Sequence, residues 1–277
     1  QSQASFDGDL LMRTTGLTGS GTMSLDKAEV TSNFFSYNVD WFACDTASLE
    51  VFEEQGDLAF RAKDLKTHID LDMREGYFYS NGADSYVELP ANQYIAYIDK
   101  LRWSMDNQSL KLGDESSVSE GSDFVSIHPE QDSLGFFAKT ASYNLSDYVI
   151  HAAGVEEIAV ADAIIYPDSG IVTVAKNAVI ETLYEANILA DNLTEYHKFT
   201  NAAVNLISAH DYMASGDYTY KDAMNNEQKI FFKDIRVNDD TITVAVGDVS
   251  NDKPFHIDSK FDFKGSVDLI ADQRHLI

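Results

Sequence analysis

Three adjacent acid pairs, Glu53-Glu54, Glu156-Glu157 and Asp239-Asp240, are the residues whose type and spacing best suit acid–base chemistry. Glycoside hydrolysis needs two carboxyls roughly 5–10 Å apart across a cleft. With 46 acidic residues in the chain, pairs at that separation arise from number alone, and no pair is singled out. All three read as solvated turn residues. The histidines (His68, His128, His151, His197, His210, His256 and His275) stand singly, with no two at ligand spacing on one element. Each reads as a surface or hydrogen-bonded residue. Cys44 lies in the strand-like "WFACDTASLEV" with no histidine nearby in sequence, so it reads as a small buried hydrophobe. As the only cysteine it forms no intrachain disulfide. Nucleophile-elbow, dinucleotide, P-loop, zincin and EF-hand motifs are all missing from the sequence. No catalytic, cofactor-binding or metal-binding residue is therefore assigned, no cofactor is expected, and a ligand site is unknown. A glycan-binding or glycan-cleaving β-domain stays as the alternative. It would use aromatic platforms, for which Trp41, Trp103, Tyr94, Tyr97, Tyr218 and Tyr220 are the candidates, against core packing as their ordinary role.

Such residues need a scaffold. The chain has 277 residues, and its hydrophobic fraction of 44% is that of a chain that folds. Forty-six acidic against 20 basic residues leave a net charge of −26. Nucleic acid is excluded as a partner on that ground, since its affinity rests on neutralised phosphates. The acidity reads as a self-repelling surface, with divalent-cation or cationic-partner binding as the sharper reading. The opening "QSQASFDGDLLM" has no basic start or long apolar run, so it reads as a mature form or a piece of something larger. No apolar run is long enough for a membrane-spanning helix.

Period-two alternation dominates. Residues 21–51 alternate repeatedly, 53–57 ("EEQGD") read as a turn, and 68–82 read as a hairpin closed by Asn81-Gly82. In "PANQYIAYIDKLRWSM" (90–105), Ala91, Tyr94, Ile95, Ile98, Leu101 and Met105 follow helical spacing behind Pro90. That spacing predicts one short helix near 91–100. The acidic stretch 113–123 reads as a loop or linker between a first β-layer module, 1–112, and a second, 124–277, with one continuous architecture as the alternative. A loose Ala-to-Tyr recurrence at 138–143, 161–166, 190–196 and 214–220 reads as stacked layers. The stretch 160–192 also fits a helix face. Its β-branched Val172, Val174, Val179 and Ile180 favour strands. The fold class expected is all-β: stacked antiparallel strands forming a jelly-roll or solenoid-like sandwich.

Two resemblances follow from particular segments. "VADAIIYPDSGIVTVAKNAVIETLYEANILADN" (160–192) and "FKGSVDLIAD" (263–272) resemble OstA-type repeats of periplasmic lipopolysaccharide-transport proteins. That resemblance implies an open, taco-shaped jelly roll whose apolar groove binds or conducts lipid or lipopolysaccharide. More closely, "LTGSGTMSLDKAEV", "GYFYSNG", "LPANQYIAYIDKLRWSMD", "FVSIHPEQDSL" and "FDFKGSV" resemble segments near the C-terminal end of very large envelope proteins of Bacteroidetes-type bacteria. That resemblance implies the bacterial cell envelope, periplasm or outer membrane, and further β-layers of a parent protein as partners. The function expected is a non-catalytic β-scaffold segment of an envelope protein, with or without a lipid groove.

Overall fold

The computed structural model describes residues 4–114, 121–222, 225–249, 255–258 and 260–277. The alternation makes an all-β chain of antiparallel strands. In the first part they are β1 (Ser5–Arg13), β2 (Gly16–Ser24), β3 (Ala28–Tyr37), β4 (Trp41–Phe52), β5 (Leu58–Asp70), β6 (Glu75–Ser80) and β7 (Tyr86–Leu89). Then come β8 (Tyr94–Ile98), β9 (Lys100–Ser104), β10 (Ser109–Leu112), β11 (Ser122–Ser126), β12 (Gly135–Ala138), β13 (Thr140–Asn144) and β14 (Val149–Ala153). The remainder are β15 (Ile158–Val160), β16 (Ala163–Tyr166), β17 (Ile171–Val174), β18 (Leu183–Ala190), β19 (His197–Ser208) and β20 (Asp211–Lys221). They end with β21 (Glu227–Val237), β22 (Thr243–Val249), β23 (Phe255–Asp258), β24 (Phe261–Phe263) and β25 (Gly265–Ile270). The one helical element among the described residues is a 3-10 turn at Pro129–Gln131.

The chain forms two compact units. The first holds residues 4–128, 137–154 and 173–179; the second holds 129–136, 155–172 and 180–277. Residues 115–120 of the expected linker lie outside the described residues. The strands on either side of it, β10 and β11, both belong to the first unit, because β11 pairs with β8.

In the first unit β1 to β5 form a meander of long hairpins. Gly8 and Gly21 face each other across β1 and β2, both at φ 149°. A Cβ on either would lie 2.2 Å from a carbonyl oxygen of the other strand, so only glycine lets the backbones approach there. The decisive feature is a corner in β5. Arg61–Lys63 pair with β7, whereas Leu65–Asp70 pair with β6. Between them Asp64 takes a left-handed φ of 55°, and β4 opposite slips register on both sides of Ala47. The sheet therefore divides at β5. One branch runs β6-β9-β10-β13-β14-β17 and the other β7-β8-β11-β12, so the sheet curls into a half-barrel of sandwich type.

Register then stacks side chains in rows. Ile69, Gly76, Trp103, Leu110, Tyr143 and Ile150 are cross-strand neighbours on one branch. All are buried. Beside them runs a second buried row, Thr67, Phe78, Leu101, Leu112, Ala141 and Ala152. Ala62, Val87, Ala96 and Phe124 form a buried row on the other branch. The Phe60 ring, carried by the first half of β5, meets Trp103 edge-on at 6.2 Å, which closes the core. Gly76 makes room in its row: a Cβ there would sit 2.7 Å from Phe78 Cε2 and 2.8 Å from Ile69 Cδ1. Gly76→Ala is expected to lower stability by about 1–3 kcal/mol through overpacking, read from chemical denaturation midpoints.

The second unit is an eight-stranded meander in the order β15-β16-β18-β19-β20-β21-β22-β25. Phe199, Tyr218 and Phe232 meet edge to face at its centre, at 5.4–5.8 Å. Buried polar groups tie distant segments together. Asp162 accepts from the Thr243 amide (2.9 Å) and hydroxyl (2.6 Å), 81 residues away. With its proton so used, the Thr243 hydroxyl accepts from Tyr212 at 2.9 Å.

Two expectations need correction. Residues 91–100 contain no helix. Pro90–Gln93 make a turn, Gln93 takes a left-handed φ of 53°, and β8 follows with Tyr94, Ala96 and Ile98 buried. A short strand, a one-residue break at Asp99 and a second strand carrying Leu101 reproduced helical spacing by accident. The Ala-to-Tyr recurrence is no structural repeat either. Its four copies fall across the β12–β13 junction, on β16, across the turn after β18, and in mid-β20. By contrast, the stretch 160–192 is strands, with a turn at Pro167–Gly170 closed by a 3.1 Å bond from the Gly170 amide to the Pro167 carbonyl.

Candidate functional site

Where the rows of the first unit end, its turns surround a cleft of about 370 Å³. Corner geometry puts it there. The turns after β2 and β4 lie beside the start of β5, and those after β5, β9 and β13 lie at its far end. The bend at Asp64 brings both ends to one mouth.

 Val51, Ala59 and Trp103 form the apolar floor, each at most 5% exposed. Leu71, Met105 and Leu145 add apolar walls.

The rim is charged, and both of its cations are paired. Lys27 Nζ lies 3.3 Å from Glu54 Oε1, and Arg74 Nε donates to Asp106 Oδ1 at 2.6 Å. Burial first, then its hydrogen bond to Glu53, pushes the Tyr148 hydroxyl up to about 12. Lys176 Nζ sits 4.1 Å above the Tyr148 ring centroid. Asn92, fully buried, fixes this corner by donating to the carbonyls of Tyr148 (2.7 Å) and Val174 (3.0 Å). Behind Tyr148, the Tyr143 ring lies 6.4 Å away. The Tyr143 hydroxyl is buried and meets no partner among the described residues. Burial pushes it strongly upward. The cleft thus offers a small apolar floor within a largely polar lining that also carries Asp26 and Glu53. Its size falls in the range of small-molecule sites, about 300–1,000 Å³.

Of the acid pairs, only Glu53-Glu54 reaches this site, and Glu53 is a half-buried wall residue rather than a solvated turn residue. Glu156-Glu157 and Asp239-Asp240 are exposed. Cys44 is buried, and burial pushes its thiol up to about 12, which keeps it neutral. The histidines are dispersed. His68 tilts against Trp41 at 5.0 Å, and His256 Nδ1 pairs with Asp262 at 2.5 Å. His197 is buried, and its Nε2 donates to the Gln273 carbonyl at 2.6 Å. Its Nδ1 therefore accepts from the Tyr218 hydroxyl at 3.1 Å, which assigns the tautomer. No group of three or more His, Cys, Asp or Glu side chains among the described residues could hold a metal ion.

Among the aromatic candidates, Trp103 and Tyr94 are buried, and Trp41, Tyr218 and Tyr220 are half-buried. Tyr97 is 44% exposed. They do not gather into one platform. Arg74 and Tyr148 were not singled out by the sequence, since each ends a turn remote from the other in the chain. The available signal was the pair of turn stretches, "LDMR" and "LSDY", that carry them.

Neither protein-family models nor curated proteins give a match to the chain. No helix among the described residues is long and apolar enough to cross a membrane.

Proposed function

We propose that the chain is a non-catalytic β-scaffold segment of a bacterial envelope protein, joined to a further β-layer through the edge at β1. The observation that supports this most is β1 itself. It keeps nine residues in unbroken register with β2 and stands at the end of its sheet. Leu10 and Leu11 are each 48% exposed and Met12 is 79% exposed. A long edge strand with consecutive exposed apolar residues is a template for another strand. Phe6 anchors the hairpin to the first unit, 5.5 Å from Phe35 and 5.7 Å from Tyr37. The envelope setting rests on the resemblances given above. The rows of the first unit fill its interior with their own side chains, which favours a scaffold over a lipid conduit. The apolar floor of the cleft favours a second reading, in which that pocket holds the end of a lipid tail.

Backbone hydrogen exchange tests the edge. In the natural full-length protein, the β1 amides are expected to exchange at least tenfold more slowly than in the isolated 277-residue chain. Leu10→Lys together with Met12→Lys is expected to abolish the difference. Equal exchange in the two settings would refute the edge role. Uptake of a fluorescent fatty-acid probe, blocked by Ala59→Phe, is the result that the second reading requires.

A further inference from the structure

We propose that the outward face of β5, β6, β9, β10, β13 and β14 binds a linear anionic polysaccharide laid across the strands. The register that builds the buried rows also builds exposed ones between them. His68, Tyr77, Arg102, Lys111, Ser142 and His151 are successive cross-strand neighbours. That row contains no carboxylate, in a chain with 46 acidic and 20 basic residues. The outward row on one side adds Lys66, Tyr79 and Lys100, and the row on the other side opens with Asp70 and Glu75, so Lys66, Lys100, Arg102 and Lys111 stand against two carboxylates there. A local reversal of charge on so acidic a chain marks a surface complementary to an anion.

The cations are arranged for an extended ligand. Glu75 takes the Arg102 guanidinium and, at 2.5 Å, the Tyr77 hydroxyl. Arg102 first, then Tyr77, holds the Glu75 carboxyl below the usual carboxylate range. This clamp lays the guanidinium over the Tyr77 ring, 5.8 Å from its centroid. Lys100 is paired with Asp114. Lys66 and Lys111 are exposed and meet no acidic partner among the described residues. Tyr79 lies between Lys66 and Lys100 and is 49% exposed, which offers a ring face with a polar tip.

Strands about 4.8 Å apart give the row from His68 to His151 a span of about 24 Å. Cationic or hydrogen-bonding groups recur along it every one or two strands. A sugar chain with an acid group on each unit or every second unit meets that spacing, and its hydroxyls meet Ser142 and Tyr77. Duplex nucleic acid carries a charge about every 1.7 Å and needs a denser cation track than this face provides. The inference does not use the β1 edge, so either proposal stands without the other.

Calorimetric titration at low salt tests it, with polygalacturonate and a sulfated glycan as probes and dextran and duplex DNA as comparisons. At least one acidic glycan is expected to bind, with affinity falling as salt rises. The double variant Lys66→Gln/Lys111→Gln is expected to weaken binding about tenfold or more, since both contacts are charge–charge. Neither lysine is buried or paired, and an unchanged circular dichroism spectrum establishes that the fold is kept. Lys198→Gln, an exposed lysine on the second unit, is expected to bind as the parent does. Four results would overturn the proposal: no binding of either acidic glycan; equal binding of dextran; binding of DNA alone; or full binding by the double variant. Low-salt self-association that is lost in the double variant, without glycan binding, would overturn it too, by assigning the face to a second copy of the chain.

Discussion

Above about pH 10 the first unit is expected to lose stability steeply, by about 3 kcal/mol per pH unit. Tyr94 and Tyr143 are both fully buried, and burial pushes both hydroxyls strongly upward. A raised folded-state value means that the folded chain keeps its proton where the unfolded chain gives it up. The stabilisation is complete below the ordinary tyrosine value of about 10 and drains away as pH climbs past it. Each such tyrosine costs about 1.4 kcal/mol per unit. Two of them remove about 5 kcal/mol by pH 12, a large part of an ordinary domain's stability. The measurement is a pH titration followed by phenolate absorbance and far-ultraviolet circular dichroism together. The two signals are expected to change in one step. Phenolate signal from these tyrosines while the strands persist would show that they are accessible.

Phenylalanine replacements separate the two contributions. Tyr143→Phe deletes a hydroxyl that meets no partner, so neutral-pH stability is expected to hold or to rise by about 1 kcal/mol. Tyr94→Phe deletes a hydroxyl bonded to Ser126, and is expected to cost about 1 kcal/mol at neutral pH. Both variants are expected to tolerate alkali better than the parent. A neutral-pH loss in Tyr143→Phe would mean that its hydroxyl is hydrogen-bonded after all.

The second large effect is expected from Trp103→Ala, at about 3–5 kcal/mol. Trp103 is 5% exposed, sits mid-row between Gly76 and Leu110, and meets Phe60 across the core. Its removal takes away both the floor of the cleft and the contact that joins the two branches of the sheet. Trp41→Ala provides the comparison, since Trp41 is half-buried and tilts against His68. It is expected to cost about 1–2 kcal/mol or less. Urea denaturation of both variants measures the difference. Equal losses would show that the core does not depend on the Phe60–Trp103 contact.

Most strands were legible because one face of each is buried. Leu65, Thr67 and Ile69 alternate with Lys66 and His68, and the structure keeps that alternation. Reading failed where both faces of a strand are partly covered. Ile95 is half-buried opposite buried Tyr94 and Ala96, so β8 carries no clean period of two. The cleft was illegible for a different reason. Its walls come from turns between 25 and 148, and they meet only because Asp64 bends β5. Aspartate tolerates that conformation without announcing it. The basic row was hidden in the same way. Its members come one from each of six strands, and only register makes them neighbours.

The corner at Asp64 also governs how the first unit comes together. A single strand lends its opening residues to one branch and its closing residues to the other, so neither branch is complete without the other's share. Its partners, β6 and β7, are the next two strands along the chain, so the corner is built from local pairings, which form quickly. Once formed, the two branches are bound to melt as one.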